Sequence, residues 1–423
     1  MANDYRNRFV TPETAAKAVR SGDWVDYGFG AGFPELMDKA LAKRKDELKD
    51  VKIRGGLVIR PRIEVVESDP EQSAFTYYSW HIGDYERKLQ SRGLCQFIPM
   101  ILRSLPELYR RHIRVDVAFV PVSRPDENGF CGLGISNYAW RTIFEQARTV
   151  IFEINERLPR LQGVDGSHRV HLSEADYIVE GEHEPLPVRT YRDPSATDIE
   201  IAKRVVEEIP DGAVLSLGVG GVPFTVASML AESDRKDLGC HTGTISDAFL
   251  ALHKAGKLTN SRKEIDTGYS SWNLAMGSEE LYLWLDEEPE LFRPADVDYI
   301  HSPERISRMK NVISINGRRA GSDGTGKCRV GRKPPALRNR RTAGFPGRRV
   351  PLRGRKGIYL SGLHPQEKGR QLKIQYCPIH SRRQHSFRPS NHDSVRGHRV
   401  RRSQTLRSLP ERAGRGHGVH RPP

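Results

Sequence analysis

A unit of helix, strand, glycine loop and helix occurs twice in this sequence, and the repeat is the feature that most constrains the fold. The first copy occupies residues 11–48, and the second, at residues 198–232, follows about 190 residues later. In each copy an alternating apolar stretch runs into a glycine loop that ends in proline, and helical spacing resumes. We name residues 28–34 loop 1 and residues 218–223 loop 2. Alternating strands and helices predict an α/β fold of two related domains.

Each glycine loop has two interpretations. A tight turn from strand to helix often needs a positive φ, which glycine adopts without strain. Alternatively, a loop without side chains lets the backbone N–H groups at a helix N-terminus approach an anion. The duplication supports the fold more than it supports a binding site, so both interpretations stay open for each loop.

Charge divides the chain into a body and a tail. Residues 317–423 hold 28 Lys and Arg but only four Asp and Glu, which leaves 40 basic and 49 acidic residues in positions 1–316. The basic character therefore belongs to the tail, and the mildly acidic body is typical of a soluble cytoplasmic enzyme. Arginine pairs in the tail could neutralise phosphates, which makes a nucleic-acid-binding arm one interpretation of this segment.

Cysteine spacing and hydropathy exclude several classes. The five cysteines lie far apart and form no C-x-x-C pair, so we expect neither a zinc site nor a disulfide framework. The N-terminus has no apolar signal region, and no apolar run is long enough to cross a bilayer. We predict a cytoplasmic protein without a membrane span.

A family resemblance rests on ordered motifs. Residues 122–134, V-S-R-P-D-E-N-G-F-C-G-L-G, predict a strand and a hairpin, and they resemble the signature of the acetyl-CoA hydrolase/transferase family. That family includes butyryl-CoA:acetate and 4-hydroxybutyrate CoA-transferases. Further similar stretches follow in the expected order, at residues 150–155, 218–223, 238–242, 275–278 and 311–316.

The resemblance implies two CoA-transferase-like domains that act on an acyl-CoA and a short carboxylate. CoA would be a substrate, with no permanently bound cofactor and no metal, and a glutamate would form a covalent CoA thioester. Hydrolysis, with water as the acceptor, is the alternative activity. The residues that match the family's CoA-contact loop are Gly220, Gly221, Val222, Pro223 and Phe224.

The sequence departs from the family at the nucleophile. The family's His-Thr-Glu-Met segment corresponds here to residues 241–244, His-Thr-Gly-Thr, so Gly243 stands where the glutamate is expected. We therefore expect a catalytically impaired or inactive enzyme. Asp247 is the nearest acidic residue downstream of Gly243. One helical turn would displace it from that position and its side chain is shorter than that of glutamate, so we predict a structural role for it. For His241 we favour a packed histidine over a catalytic one.

The second departure is the tail. We predict an N-terminal domain at residues 1–192, a partial second domain at 193–316 and a low-order tail at 317–423 that does not fold. In the family, the chain continues after residue 316 with a G-x-G-G-x-x-D-F-x-x-G-A loop that completes the CoA site. This loop is absent here, which adds to the expected impairment, and no period of 2 or 3.6 replaces it. We interpret the tail as out-of-frame translation. The alternative is a non-catalytic relative of the family with a genuine basic tail that binds nucleic acid. A homo-oligomer is a further expectation.

Overall fold

The first sheet belongs to the N-terminal half of the chain. The computed structural model describes residues 5–60, 62–317, 356–360 and 375–378. The strands of the first half are β1 Trp24–Phe29, β2 Val51–Gly56, β3 Phe75–Ser79, β4 Gln96–Phe97, β5 Val117–Val122, β6 Phe130–Gly132, β7 Thr149–Ile154, β8 Arg169–His171 and β9 Tyr177–Glu180. Seven of them form a parallel sheet in the order β4-β3-β2-β1-β5-β7-β9, while β6 and β8 pair separately as an antiparallel hairpin.

The second sheet has the same number of strands. They are β10 Val214–Leu217, β11 Gly239–Ile245, β12 Ser270–Ala275, β13 Phe292–Pro294, β14 Val312–Gly317, β15 Lys356–Leu360 and β16 Gln375–Pro378. Their order is β13-β12-β11-β10-β14-β15-β16, and every pair is parallel except β15 with β16. Strands β10 and β11 therefore lie in the middle of the sheet, and loop 2 begins at the carboxyl end of β10.

The helices connect these strands. They are α1 Pro12–Ala16, α2 Glu35–Ala42, α3 Glu64–Glu67, α4 Asp84–Ser91, α5 Leu105–His112, α6 Trp140–Gln146, α7 Ala196–Glu207, α8 Gly221–Glu232, α9 Asp247–Lys254, α10 Glu279–Glu287, α11 Val297–Ile300 and α12 Pro303–Arg308. Helix α7 shows how the sequence fixes such an element. The Ser195 hydroxyl accepts a hydrogen bond from the Asp198 N–H while the Asp198 carboxylate caps Ser195 in return. In the part of the chain that the structure describes, no helix is long and apolar enough to span a membrane.

The α/β fold class predicted from the repeat is confirmed. Strand β1, loop 1 and α2 form one unit, and β10, loop 2 and α8 form the other. The element bounds differ slightly from the expectation, since α2 ends at Ala42 and α8 begins at Gly221. The division of the body at residue 192 stays a prediction, because both sheets belong to one compact unit.

Two short segments of the basic tail add to the expected fold. Strand β15 pairs in parallel with β14, and β16 pairs in antiparallel with β15. Pairing uses the backbone N–H and C=O groups that every residue except proline carries, so a segment without an apolar period can still join a sheet edge. The rest of the tail, to which the prediction of a low-order segment also applies, lies outside the described residues.

Candidate active site

Loop 2 presents an open backbone at the N-terminus of a long helix. Its glycines are half-buried, and a Cβ added at Gly220 or Gly221 would have its nearest neighbour at 3.8 or 3.9 Å. The loop is anchored by the Gly218 N–H, which donates to the Ile315 carbonyl at 2.8 Å. Among the described residues, no acceptor faces the N–H groups of residues 219–222. Such free donors at the positive end of a helix dipole can bind an anion.

The segment that joins the two halves lies beside loop 2. The Tyr191 ring stacks on Phe224 with centroids 4.8 Å apart and an angle of 10° between the planes. The Nε of Arg192 lies 3.9 Å from the position that a Cβ on Gly221 would take. A cation and an aromatic surface therefore border the free N–H groups. Sequence analysis missed both residues, although the basic-aromatic stretch 189–192 was a signal for them.

Gly243 lies at the carboxyl end of β11, next to the start of loop 2. The Thr242 hydroxyl donates to the Leu217 carbonyl at 3.3 Å, which fixes β11 against the last residue of β10. A Cβ on Gly243 would lie 2.9 Å from Cε1 of His301 and 3.6 Å from Oδ1 of Asn273. The space for a side chain at this position is thus bounded by an imidazole and an amide.

His301 and Asn273 form a buried polar pair at this position. His301 directly follows α11 and is 3% exposed, and its Nε2 lies 3.1 Å from Oδ1 of Asn273. Asn273 lies on β12 between Trp272 and Leu274, which pair with Thr242 and Thr244 of β11. The pair therefore lies directly across from Gly243. Neither residue was singled out from the sequence, because they are 28 positions apart and form no motif.

The geometry of His241 supports the packed interpretation. It is fully buried, and its Nε2 donates to the Ile300 carbonyl at 2.9 Å. Burial lowers the pKa of His241 to about 4, so the ring is neutral near pH 7. A neutral ring held by a carbonyl fixes α11 to β11, and α11 in turn positions His301.

Asp247 is tied to another helix. It begins α9, and both of its carboxylate oxygens lie 3.1 Å from the Ser278 N–H, next to the start of α10. The Ser278 hydroxyl donates to the same carboxylate and also caps α10. This geometry supports the structural role predicted for Asp247.

The fold and the site geometry can now be set beside known proteins. Residues 1–189 match the acetyl-CoA hydrolase/transferase N-terminal domain. The chain is 42% identical over 316 residues to the butyryl-CoA:acetate CoA-transferase of Anaerostipes caccae, covering 74% of this chain and 70% of that protein. It is 31% identical over 315 residues to the 4-hydroxybutyrate coenzyme A transferase of Clostridium kluyveri, covering 74% and 71%. The chain belongs to the acetyl-CoA hydrolase/transferase family, which confirms the resemblance found in its motifs.

Solved structures agree with this assignment. RipA from Yersinia pestis aligns with a TM-score of 0.69 at 31% identity, covering 76% of this chain and 75% of that one. The 4-hydroxybutyrate CoA-transferase from Porphyromonas gingivalis aligns with a TM-score of 0.60 at 26% identity, covering 75% and 74%. The fold is therefore that of CoA-transferases.

Proposed function

We propose that this fold transfers CoA between a short-chain acyl-CoA of the butyryl or acetyl type and a carboxylate such as acetate. We further propose that the chain with Gly243 is impaired in this reaction. The observation that carries the proposal is the position of residue 243, beside the open backbone of loop 2 in a member of a CoA-transferase family. Loop 2, with residues 220–224, would hold CoA, and no other cofactor is required. We also propose that the protein acts on small molecules in the cytoplasm. A homo-oligomeric form is a further part of the proposal.

The chemistry explains why residue 243 matters. A carboxylate at this position would attack the thioester carbonyl, the C–S bond would break, and CoA would leave as a thiolate. The thiolate would then attack the carboxylate's own carbonyl in the anhydride and release the acyl group as a free carboxylate. Glycine offers no oxygen for the first step. We therefore expect the chain as it stands to form no covalent intermediate.

Hydrolysis is the second candidate, because the family combines hydrolases and transferases. In that reaction water would take the acyl group, and added acetate would not change the products. Chromatography of the acyl products with and without acetate separates the two activities.

Restoring the carboxylate tests the proposal. We expect Gly243→Glu combined with His301→Ala to form a CoA adduct that intact-protein mass spectrometry detects after mixing with butyryl-CoA. The second change makes room, because the imidazole lies 2.9 Å from the new Cβ. The unsubstituted chain should form no adduct and transfer CoA at least about 10³-fold more slowly. Gly243→Gln with His301→Ala is the matched control, since it fills the same space without a nucleophile. An unsubstituted chain that equals the Glu variant would contradict the proposal.

The origin of the tail has its own test. We propose that residues beyond 316 arise from translation in the wrong frame. DNA sequencing across codons 305–423 should then find G-x-G-G-x-x-D-F-x-x-G-A in another frame. If no frame contains it, the tail is a genuine appendage, and its 28 basic residues predict nucleic-acid binding that weakens steeply with salt.

A further inference from the structure

A short segment of the N-terminal half pairs with β12 of the C-terminal half. The Ala275 N–H donates to the Ile135 carbonyl at 2.8 Å, and the Asn137 N–H donates to the Asn273 carbonyl at 2.7 Å. An antiparallel bridge joins Ser136 with Leu274 between them. In this pairing Asn137 lies opposite Asn273, and the two side chains are on the same face.

The side-chain amide of Asn137 is buried without a partner. The residue is 1% exposed, and neither Oδ1 nor Nδ2 forms a hydrogen bond with any residue that the structure describes. A buried polar group left unpaired is destabilising, which is why such groups are rare in folded proteins. The amide therefore calls for a ligand or a functional explanation.

A second buried asparagine shows what a structural amide is like in this protein. Asn260 is 4% exposed, and its Oδ1 accepts from the Cys240 N–H at 2.8 Å. Its Nδ2 donates to the Ser270 hydroxyl at 3.1 Å. Asn260 thus holds β11 and β12 with both ends of its amide, whereas Asn137 uses only its backbone.

The surroundings of Asn137 identify the ligand's chemistry. Its cross-strand neighbour Asn273 contacts His301, and His301 bounds the space at Gly243. Under the proposed function, this face is where the thioester carbonyl must lie for a group at position 243 to attack it. A neutral amide N–H near that carbonyl can donate to the oxygen and stabilise negative charge as it develops.

We propose that Asn137 is a substrate-binding residue whose amide N–H donates to the acyl carbonyl oxygen of the bound acyl-CoA. The inference rests on the proposed function and adds to it a contact from the N-terminal half. Both halves of the chain then contribute to the reaction site. Loop 2 of the C-terminal half holds the CoA part, and Asn137 of the N-terminal half holds the acyl carbonyl from the other side of β12. The same donor would serve the acceptor carboxylate, whose oxygen takes that place in the reverse step.

The test combines Asn137→Leu with the control Asn260→Leu in the full chain. Leucine has the same number and branching of side-chain heavy atoms as asparagine but no polar atom, so Asn137→Leu should leave the melting temperature unchanged or raise it. Asn260→Leu should lower it, because it breaks two hydrogen bonds and places leucine at a φ of +57°. Calorimetric titration then compares three ligands: CoA, butyryl-CoA and S-butyl-CoA, a thioether that lacks the carbonyl. We expect Asn137→Leu to weaken butyryl-CoA about five- to tenfold and to leave the other two unchanged.

The outcomes separate the two proposals. If neither CoA nor butyryl-CoA binds the unsubstituted chain, the proposed function fails and the inference fails with it. If both bind and Asn137→Leu changes all three affinities equally or none of them, only the inference is overturned. A loss of stability in Asn137→Leu as large as in Asn260→Leu would also overturn it, because the amide would then be structural.

Discussion

Loop 1 and loop 2 occupy the same place in the two copies of the repeated unit, yet their glycines differ in conformation and surroundings. In loop 1, Gly28 and Gly30 have φ of +86° and +66°, and a Cβ on Gly30 would lie 2.7 Å from a methyl carbon of Leu274. These glycines allow a turn and close packing. In loop 2, neither Gly220 nor Gly221 adopts the left-handed conformation, and a Cβ on either would make only ordinary contact, at 3.8 and 3.9 Å. There the missing side chains give access to the backbone.

The two helix N-termini differ in the same way. The carboxylate of Glu153 accepts from the N–H groups of Leu36 and Met37 at 3.2 and 2.9 Å, so the anion position at the start of α2 is filled from within. At the start of α8, no described side chain plays this part. The comparison teaches that a duplicated unit can keep its anion-binding geometry while only one copy stays available to a ligand.

Removing the Glu153 carboxylate should have the largest effect on the stability of the fold. Glu153 is fully buried and also contacts His183 at 3.1 Å. We expect Glu153→Ala to lower the free energy of unfolding by about 3–5 kcal/mol, because it leaves the Leu36 and Met37 N–H groups and Nε2 of His183 unpaired. Glu156→Ala is the control, since this carboxylate binds the same ring from a site that is 38% exposed and should cost less than about 1 kcal/mol. Urea denaturation measures both, and equal losses would remove the distinction between the loops.

The glycines themselves sharpen the comparison. Gly30→Ala should cost about 2–4 kcal/mol of stability, from the positive φ together with overpacking against Leu274. Gly221→Ala should leave stability unchanged or raise it slightly, yet weaken CoA about tenfold by covering the free N–H groups. Thermal melts and titration with CoA give both quantities. A stability loss at Gly221 with unchanged CoA affinity would show that loop 2 is a packing turn like loop 1.

Local patterns predicted the fold better than the site. Glycine loops and strand alternation are local signals, so the order of elements followed from the sequence. The position of Gly243 was also visible, through its motif. The surroundings of Gly243 were not, because Asn137, Asn273 and His301 come together only through pairing between distant segments. The Glu153 carboxylate was missed for the same reason, since Glu153 and Met37 are 116 positions apart.

The smallest expected effect is on the pH dependence of stability. It tests whether His183 supports the Glu153 carboxylate at the start of α2. Burial alone would lower the pKa of His183, but its hydrogen bonds to Glu153 and Glu156 and their charges outweigh burial and raise it. A raised pKa means that the protonated ring stabilises the fold fully below the unfolded value of about 6.5, and that this contribution is lost as pH rises through the folded value. We therefore expect stability measured at pH 6 and pH 8 to fall more for the unsubstituted chain than for His183→Gln. An equal fall in both would mean that Glu153 holds α2 without help from a charged histidine, and that the two helix N-termini differ only in the carboxylate.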